Sequence, residues 1–435
     1  MSKVSIKEAK KQATGSVKIF GFVHNKRVHK GVVFVDLRDL SGNIQLVLEE
    51  AIPAVYEKAL TLNLESYIAV SGELQAKPAK KNAPEAEPDF ELLVKELEII
   101  SLADEQLPIP VMMKTDIEAN LDNRLDWRFL DLRRSENQLI FKVWTELEKG
   151  FRKYFSEAQY LQIYTPTFMS TASETGADVF AVKYFDRQAY LAQSPQFYKQ
   201  MAMASGLEKV FMVGTVYRAE KSFTNRHVTE FTGWDFEIAN VESLAEVMAE
   251  EEKLLVSGFQ MVKDNLNIEI TVPTTPFPRV TLKEAKEKLA QAGIKSNAPD
   301  DLDPEEERGI CEIVKAETDH DFVFITEYPI TARPFYHMRK KSDNNLTESF
   351  DLLYRGVEIT TGALREHRLE ILQTQAVEKG MNLEELADYL NFFRYGCPAH
   401  GGVGIGPARI IMKLLNLSNI KEVIYLPRDV KRLRP

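Results

Sequence analysis

The stretch VYRAEKSFTNRHVTEFTGWDFEIA, residues 216–239, stands out in the sequence. Its two ends have the residue types of β-strands, and the polar loop between them predicts a strand–loop–strand unit. Arg218 and Glu220 are two positions apart, as are Asp235 and Glu237, so each pair should share one face of its strand. Burying these charges without a function would be costly, whereas a polyphosphate with a metal ion would match them. A surface hairpin with ordinary ion pairs is the alternative that the residues alone leave open.

A glycine-rich stretch, GGVGIGPARIIM at 401–412, leads into a predicted helix. Glycines permit close approach of the backbone, and the N-terminus of a helix favours anions. The stretch is not a P-loop, because the Gly-Lys-Ser/Thr ending is absent. Arg409 falls in the first helical turn, where a cation opposes the helix dipole, so a phosphate contact would explain its presence.

The stretch FDLLYRGVEITTGALREHR, residues 350–368, predicts a hairpin that turns at YRG. This hairpin would bring Asp351 and Glu358 together, and paired carboxylates beside a phosphate site indicate Mg²⁺ held by oxygen ligands. Arg365 follows the small residues TTGA, which leave room for a ligand. Its planar guanidinium suits bidentate binding of a carboxylate, with a structural ion pair as the alternative.

Outward from these stretches, the chain divides into two predicted domains and a linker. Five strand-like runs favour a small Greek-key barrel of the OB type over residues 1–103. Residues 104–135 are irregular and are assigned to the linker. Within 136–435, an amphipathic helix at 137–158 precedes mixed helical and strand-like stretches without regular βαβ alternation. This pattern predicts an α+β domain around an antiparallel sheet.

The composition is that of a globular protein: 435 residues, 44% hydrophobic and 28% charged, with a net charge of −10. It excludes a disordered chain, a collagen-like fibre and a disulfide scaffold. No apolar run is long enough to span a membrane, and Cys311 and Cys397 are far apart, so we expect a cytoplasmic protein. The acidic stretch at 297–309 is expected to be a solvated surface insertion. An acidic chain can bind nucleic acid only through a local basic patch, such as HNKRVHK at 24–30.

Taken together, these segments resemble the class II aminoacyl-tRNA synthetases, and the resemblance runs essentially from end to end. The order agrees with that class: a motif ending in proline within YLQIYTPTF at 160–168, then strand–loop–strand, then the glycine-rich strand–helix. The OB-like domain is similar to that of the subgroup for aspartate, asparagine or lysine, and above all of the aspartyl enzymes of the archaeal and eukaryotic type. The resemblance implies a homodimer with Pro166 near its interface. It also implies ATP-dependent attachment of L-aspartate to tRNA through an aspartyl-adenylate.

The resemblance implies roles for individual residues. Arg218 and Arg409 would be catalytic through charge stabilisation. The implied ATP-binding residues are Arg218, Glu220, Arg226, His227, Phe231, Glu358 and Arg409. The implied aspartate-binding residues are Glu174, Ser194, Gln196, Lys199, Asp235, Thr361 and Arg365. The implied Mg²⁺ ligands are Asp351, Glu358 and Thr361. Lys199 and Arg365 would select a negative side chain, because asparagine would leave a buried cation unpaired. In one departure from the family, Ala408 stands where an acidic residue usually precedes the arginine of the third motif.

In the barrel, the resemblance assigns anticodon recognition to His24, Arg27, Phe34, Gln45 and Pro78. Phe34 would stack on a base and Gln45 would hydrogen-bond to one, although Phe34 could instead belong to the barrel core. Relatives restricted to tRNA(Asp) tend to carry tryptophan at the position of His24, whereas relaxed relatives tend to carry histidine. Pro78 is a candidate for a proline that accompanies this relaxation. We therefore hypothesise that tRNA(Asn) is charged as well, the alternative being that His24 has no bearing on specificity.

Several other functions are alternatives to this one. A discriminating enzyme would charge tRNA(Asp) only. Lys199 argues against an asparaginyl enzyme, and a lysyl enzyme should have an acidic pocket. An asparagine synthetase of related fold would not need an OB domain. A nucleic-acid-binding paralogue with an inactive catalytic domain should have lost the arginines Arg218 and Arg409 or the acidic residues expected to bind Mg²⁺. All of these residues are present.

Overall fold

A computed structural model describes residues 2–77, 89–112, 119–171, 179–222 and 224–435. The chain forms two compact units, Met1–Gln138 and Leu139–Pro435. The segment assigned to a linker at 104–135 thus falls within the first unit. None of the helices in the described ranges has the length and apolar character that crossing a membrane requires.

The strands and helices are numbered in chain order. The strands are β1 (Ser2–Lys3), β2 (Gly15–His29), β3 (Val32–Asp39), β4 (Gly42–Glu49), β5 (Tyr67–Ala76), β6 (Phe90–Ser101), β7 (Leu161–Gln162), β8 (Phe168–Met169), β9 (Ala181–Tyr184), β10 (Arg187–Leu191), β11 (Lys209–Tyr217), β12 (Glu230–Ala239), β13 (Arg279–Thr281), β14 (Phe322–Thr326), β15 (Ser349–Tyr354), β16 (Val357–Arg365) and β17 (His400–Ile405). The α-helices are α1 (Ile6–Gln12), α2 (Pro53–Thr61), α3 (Leu121–Asp126), α4 (Arg128–Asp131), α5 (Ser135–Glu157), α6 (Gln196–Ala204), α7 (Leu244–Asn265), α8 (Leu282–Gln291), α9 (Pro304–Thr318), α10 (Leu369–Glu378), α11 (Ala387–Asn391) and α12 (Pro407–Leu414).

The first unit contains the predicted OB barrel. Its strands follow the order β2–β3–β4–β6–β5, and β5 pairs with β2 to close the barrel. Only the β4–β6 pairing within this closed barrel is parallel. On β3, Val33, Val35 and Leu37 are fully buried, while Phe34 and Asp36 between them are partly exposed. This alternation, with period two, fills the barrel with aliphatic side chains and leaves a polar and aromatic outer face.

The second unit is built on an eight-stranded sheet with the order β13–β14–β15–β16–β17–β12–β11–β7. The six strands from β14 to β11 are antiparallel to their neighbours, which confirms the predicted α+β class. The edge pairings β13–β14 and β11–β7 are parallel, so the sheet is mixed at its margins. Apolar side chains of α5 and α7 form one core with the central strands, including the fully buried Trp234 of β12. Asp235 and Glu237 alternate along β12 with the core residues Trp234 and Phe236, so the opposite face of the sheet carries polar side chains.

Two local expectations are corrected. The strand β11 ends at Tyr217, so Arg218 and Glu220 lie beyond it and not on one strand face. The acidic stretch at 297–309 is only partly solvated. Helix α9 begins inside it, capped by Asp303, and its first turn buries Glu306 and Glu307. A carboxylate can be buried there because each has a cationic partner, Lys286 for Glu306 and Arg226 for Glu307.

Candidate active site

A cavity of about 430 Å³ opens over β12, β16 and β17 in the second unit. This volume lies in the range of small-molecule sites. The sequence-predicted residues that line it are Ser194, Gln196, Lys199, Arg218, Glu220, Arg226, His227, Phe231, Asp235, Glu358, Thr361, Arg365 and Arg409. The fold thus brings together residues from four separate stretches of the chain. Glu174, predicted to bind aspartate, lies outside the described residues.

Lys199 of α6 is one of two buried cations at one end of the cavity. Its ammonium lies 2.8 Å from Asp235 Oδ2 and 3.3 Å from Glu237 Oε2, and it donates to the Val403 carbonyl at 3.1 Å. Asp235 and Glu237 project from the same face of β12, as their spacing predicted. Two carboxylates therefore compensate this ammonium, which is why burying it is tolerated.

Arg365, the last residue of β16, is the second buried cation at this end. It donates from Nε to Glu237 Oε1 at 3.0 Å and from Nη2 to the Gly402 carbonyl at 3.0 Å. Burial would raise the pKa of Glu237, but Arg365 and Lys199 together hold it below its usual range. Glu237 therefore stays ionised and forms ion pairs with both cations.

Gly402 of β17 allows this arrangement by close approach. A Cβ atom built at this position would lie 2.1 Å from Glu237 Oε2 and 2.2 Å from the Phe236 carbonyl oxygen. Both contacts are far below van der Waals distance, so the strand can carry only hydrogen here. Glycine is thus required within β17, the strand that precedes α12, and not only at the N-terminus of that helix.

The other end of the cavity is lined by arginines. Arg409 of α12 donates to the Glu358 carbonyl at 2.8 Å and lies 3.4 Å from Glu358 Oε2. Arg218 lies 5.7 Å from the centre of the Phe231 ring and 3.7 Å from Glu220 Oε1. Phe231 lines the cavity and is partly exposed, so it is not an ordinary core aromatic. Burial and the nearby Arg409 lower the pKa of His227, which keeps its imidazole neutral at pH 7.

Sequence reasoning missed two residues that act on this arginine-lined end. Glu307 accepts from Arg226 Nη1 at 2.7 Å, and it also accepts from the backbone N–H of Glu358 at 3.1 Å. Arg333 lines the cavity and donates to Asp351 Oδ2 at 2.7 Å. The only sequence signal for Glu307 was an acidic run that usually marks a solvated surface. Arg333 had no signal, because a single arginine in a loop has no spacing to interpret.

The hairpin of β15 and β16, which the sequence predicts to hold Mg²⁺, carries the oxygen atoms of Asp351, Glu358 and Thr361. Asp351 stands opposite Thr361 in the strand register, and Thr361 donates to Glu358 Oε1 at 3.1 Å. Asp351 Oδ1 is buried and has no hydrogen-bond partner among the described residues. Burial raises the pKa of Asp351, and the nearby carboxylate of Glu358 adds to this effect. An unpaired hard oxygen next to a second carboxylate fits a divalent cation. Within the described ranges, no cluster of three or more His, Cys, Asp or Glu side chains forms a candidate site by itself.

The outer face of the barrel in the first unit carries the predicted anticodon residues. Phe34 of β3 is paired with Arg27 of β2, whose guanidinium lies 6.0 Å from the ring centre. Arg27 also donates to Gln45 Oε1 at 3.1 Å. Phe34 is absent from the barrel core, so it lies on the surface where the stacking hypothesis requires it. Pro78 lies outside the described residues.

His24 is a half-buried neighbour on β2. Its Nδ1 atom lies 2.6 Å from Arg38 Nη1, and Arg38 is itself paired with the buried Glu65 at 2.8 Å. Because arginine only donates, Nδ1 is the acceptor and the proton of the neutral ring is on Nε2. Burial and the Arg38 charge lower the pKa of His24. The barrel therefore holds His24 in one orientation and in one tautomer.

Comparison with known proteins gives the same assignment for both units. Residues 120–430 match the family described as tRNA synthetases class II (D, K and N), and residues 17–100 match the OB-fold nucleic acid binding domain. The chain is 40% identical to the aspartate–tRNA(Asp/Asn) ligase of Methanopyrus kandleri over 428 residues, 96% of each protein. It is 39% identical to the aspartate–tRNA(Asp) ligase of Pyrococcus abyssi, again over 96% of each. A crystal structure of asparaginyl-tRNA synthetase from Pyrococcus horikoshii, complexed with asparaginyl-adenylate, superposes with a TM-score of 0.90 at 31% identity over all of both chains. The family match covers most of the chain, and it agrees with the two units of the fold and with the cavity that Arg218 and Arg409 line. This chain therefore belongs to the class II aminoacyl-tRNA synthetases of the aspartate, lysine and asparagine group.

Proposed function

We propose that this enzyme attaches L-aspartate to tRNA(Asp), and to tRNA(Asn) as well, at the expense of ATP. The observation that carries the choice of amino acid is the pair of buried cations, Lys199 and Arg365, in one end of the cavity. An aspartate side chain would accept hydrogen bonds from both. Asparagine would present an amide N–H₂ group to cations that can only donate, and the loss of such pairing is strongly discriminating.

The residues at the two ends of the cavity have different roles in the first step, the formation of aspartyl-adenylate. Lys199 and Arg365 bind the side-chain carboxylate of aspartate, and Asp235 accepts from its ammonium group. Arg218 holds the α-phosphate of ATP, and Arg409 holds the γ-phosphate. This orientation directs the α-carboxylate of aspartate in line with the α-phosphorus, so that aspartyl-adenylate forms and pyrophosphate leaves. Catalysis then consists mainly of positioning and of stabilising charge on the phosphates.

Asp351, Glu358 and Thr361 are the residues that would hold Mg²⁺. When bound, the ion neutralises negative charge on the ATP phosphates. Arg333 shares Asp351 with this site, so its guanidinium supplies a fixed positive charge at the same place. In the second step the terminal ribose hydroxyl of tRNA attacks the acyl carbon and releases AMP. This step needs no covalent bond to the protein.

The barrel would read the anticodon through Phe34 and Gln45, and His24 is the residue on which tRNA choice depends. A neutral His24 presents an Nε2–H donor beside the basic patch, whereas a tryptophan would fill the same place with a larger ring. The names of similar proteins include both aspartate–tRNA(Asp/Asn) and aspartate–tRNA(Asp) ligases, so the family allows either specificity.

The enzyme is further proposed to be a cytoplasmic homodimer. Leu161, Tyr164 and Phe168, around Pro166, have 52%, 81% and 53% of their surface exposed. Large apolar side chains so close together and so exposed are typical of an interaction surface. A second copy of the chain would cover them.

The test is aminoacylation with labelled aspartate on purified tRNA(Asp) and tRNA(Asn) transcripts, side by side. We expect the wild type to charge both and His24→Trp to charge mainly tRNA(Asp). Ile100→Trp, at an exposed position of β6 outside the basic patch, is the matched control and should charge both. Charging of tRNA(Asp) alone by the wild type would reject the relaxed specificity. Charging with asparagine in place of aspartate would reject the proposed function.

A further inference from the structure

A histidine outside the sequence motifs lies against the amino-acid end of the cavity. His337 lines the cavity and has only 2% of its surface exposed. Its backbone forms an antiparallel bridge with Arg365. On either side, the Met338 N–H donates to the Leu364 carbonyl at 3.0 Å and the Glu366 N–H donates to the Tyr336 carbonyl at 2.9 Å. The main chain therefore holds the two side chains in register.

The protonation of His337 follows from its surroundings. Burial and the charges of Arg365, Arg333 and Lys199 lower its pKa well below the usual range. The ring is therefore neutral, with one donor and one acceptor nitrogen. Arg365 Nη1 lies 3.0 Å from Nε2 and can only donate, so Nε2 is the acceptor and Nδ1 carries the proton.

The Nδ1–H group is buried and has no hydrogen-bond partner among the described residues. An unpaired buried donor is destabilising, so a side chain present only to fill space would be better replaced by an apolar one. The imidazole therefore acts through its other nitrogen, Nε2. That nitrogen contacts a single described group, the guanidinium of Arg365.

The contact with His337 completes the orientation of Arg365. The Nε–H donates to Glu237 Oε1 at 3.0 Å, and Nη2 lies 3.0 Å from the Gly402 carbonyl and 3.5 Å from Glu237 Oε2. His337 takes one N–H of Nη1. Of the five N–H groups of the guanidinium, these contacts leave one, also on Nη1.

We propose that His337 is a positioning residue that determines amino-acid specificity: by accepting one Nη1–H of Arg365, it directs the other toward the side-chain carboxylate of the substrate. This inference rests on the proposed function, because it takes aspartate as the ligand of Arg365. Without His337 the Nη1 end of the guanidinium has no fixed partner, and its hydrogen bond to the substrate would be lost or misdirected. The choice between aspartate and asparagine should then weaken, while ATP binding, which uses other arginines, should not change.

The experiment is ATP–pyrophosphate exchange with His337→Leu, His337→Asn and His337→Gln, with aspartate and ATP varied separately. Leucine removes the acceptor, asparagine is too short to place its oxygen near Arg365, and glutamine can place an amide oxygen there. We expect the first two variants to raise KM for aspartate by tenfold or more, with KM for ATP within twofold of wild type. His337→Gln should recover most of the loss. His320→Gln is the matched control, because this histidine contacts the carbonyls of Phe322 and Thr274 away from the cavity.

The outcomes separate this inference from the proposed function. Wild-type KM for aspartate in His337→Leu, or an equal rise in both KM values, would overturn the positioning role and leave the proposed function intact. Exchange by the wild type with asparagine in place of aspartate would overturn both. If His337→Leu does not fold, the comparison of the asparagine and glutamine variants decides. Equal KM values for those two variants would then reject the inference.

Discussion

The ammonium of Lys199 lies 2.8 Å from the Oδ2 atom of Asp235, so the cation expected to bind substrate is already part of an ion pair. An incoming aspartate therefore adds a third carboxylate to a cluster that also contains Glu237 and Arg365. The two cations and the two protein carboxylates already balance, so losing either cation would leave net negative charge where the substrate carboxylate must bind. Each prediction on this end of the cavity follows from that balance.

Lys199→Gln removes the charge and leaves Asp235 and Glu237 without their shared partner. We expect aspartate-dependent exchange to fall by at least about 100-fold, and the free energy of unfolding to fall by about 3 kcal/mol, as when a buried ion pair is broken from one side. Exchange kinetics and denaturant unfolding measure the two effects. Lys253→Gln is the control, since Lys253 is an exposed partner of Glu250. Retention of wild-type KM for aspartate would contradict the role of Lys199.

Arg218→Ala should abolish exchange while the protein stays folded. The Arg218 side chain is 44% exposed, so its removal should cost little stability, whereas an arginine on the reacting phosphate contributes on the order of 100-fold or more to the rate. Pyrophosphate exchange and thermal unfolding should be measured on the same preparation. The surface variant Arg394→Ala should behave as wild type. Near wild-type exchange by Arg218→Ala would refute the assignment of the α-phosphate contact.

Asp351→Asn tests the proposed Mg²⁺ site. The amide can still accept from Arg333 but carries no charge for a cation, so we expect the Mg²⁺ concentration for half-maximal exchange to rise about tenfold at constant ATP. Asp321→Asn provides a control, because Asp321 is paired with Arg355 and Lys315. An unchanged Mg²⁺ titration for Asp351→Asn would remove this residue from the site.

The ratio of tRNA(Asn) to tRNA(Asp) charging should not change between pH 7 and pH 8. Burial and Arg38 lower the pKa of His24, so the ring binds its proton only at a pH below its usual range and stays neutral throughout this interval. The ratio should begin to change only in acid, when a cation forms beside Arg38. Initial charging rates on both transcripts across the pH range measure this. A transition centred between pH 7 and pH 8 would show that the titrating group is not a His24 in this environment.

Tyr164→Arg should convert the proposed dimer to a monomer. A charged side chain at a position 81% exposed costs the free chain little but cannot be buried against a second copy. Light scattering coupled to size exclusion gives the mass. Tyr395→Arg is a suitable control, since Tyr395 is also aromatic and 89% exposed. A dimer that persists in Tyr164→Arg would place the interface elsewhere.

Local patterns predicted the fold well where a strand alternates and where a motif has fixed spacing. The five strand-like runs indicated the barrel, and the spacing of Asp235 and Glu237 placed both on one strand face. Pattern could not find His337 or Arg333, because their importance comes from contacts across strands and loops that are distant in sequence. It also misjudged Glu307, since a run of acids has the same composition whether one member is solvated or is paired with Arg226. The parallel edge pairings of the sheet were missed because β7 and β13 are only two and three residues long.

The close contact at Gly402 has a consequence for redesign of the enzyme. Any side chain at this position would occupy the space of the Glu237 carboxylate, so the site cannot be reshaped by substitution at Gly402 of β17. An effort to make the enzyme accept a non-natural amino acid, for example a longer diacid, would have to enlarge the site elsewhere. Gln196, Ala332 and Pro334 line other parts of the cavity, and a library could vary them. The glycine thus limits the directions in which new substrate specificity can be obtained.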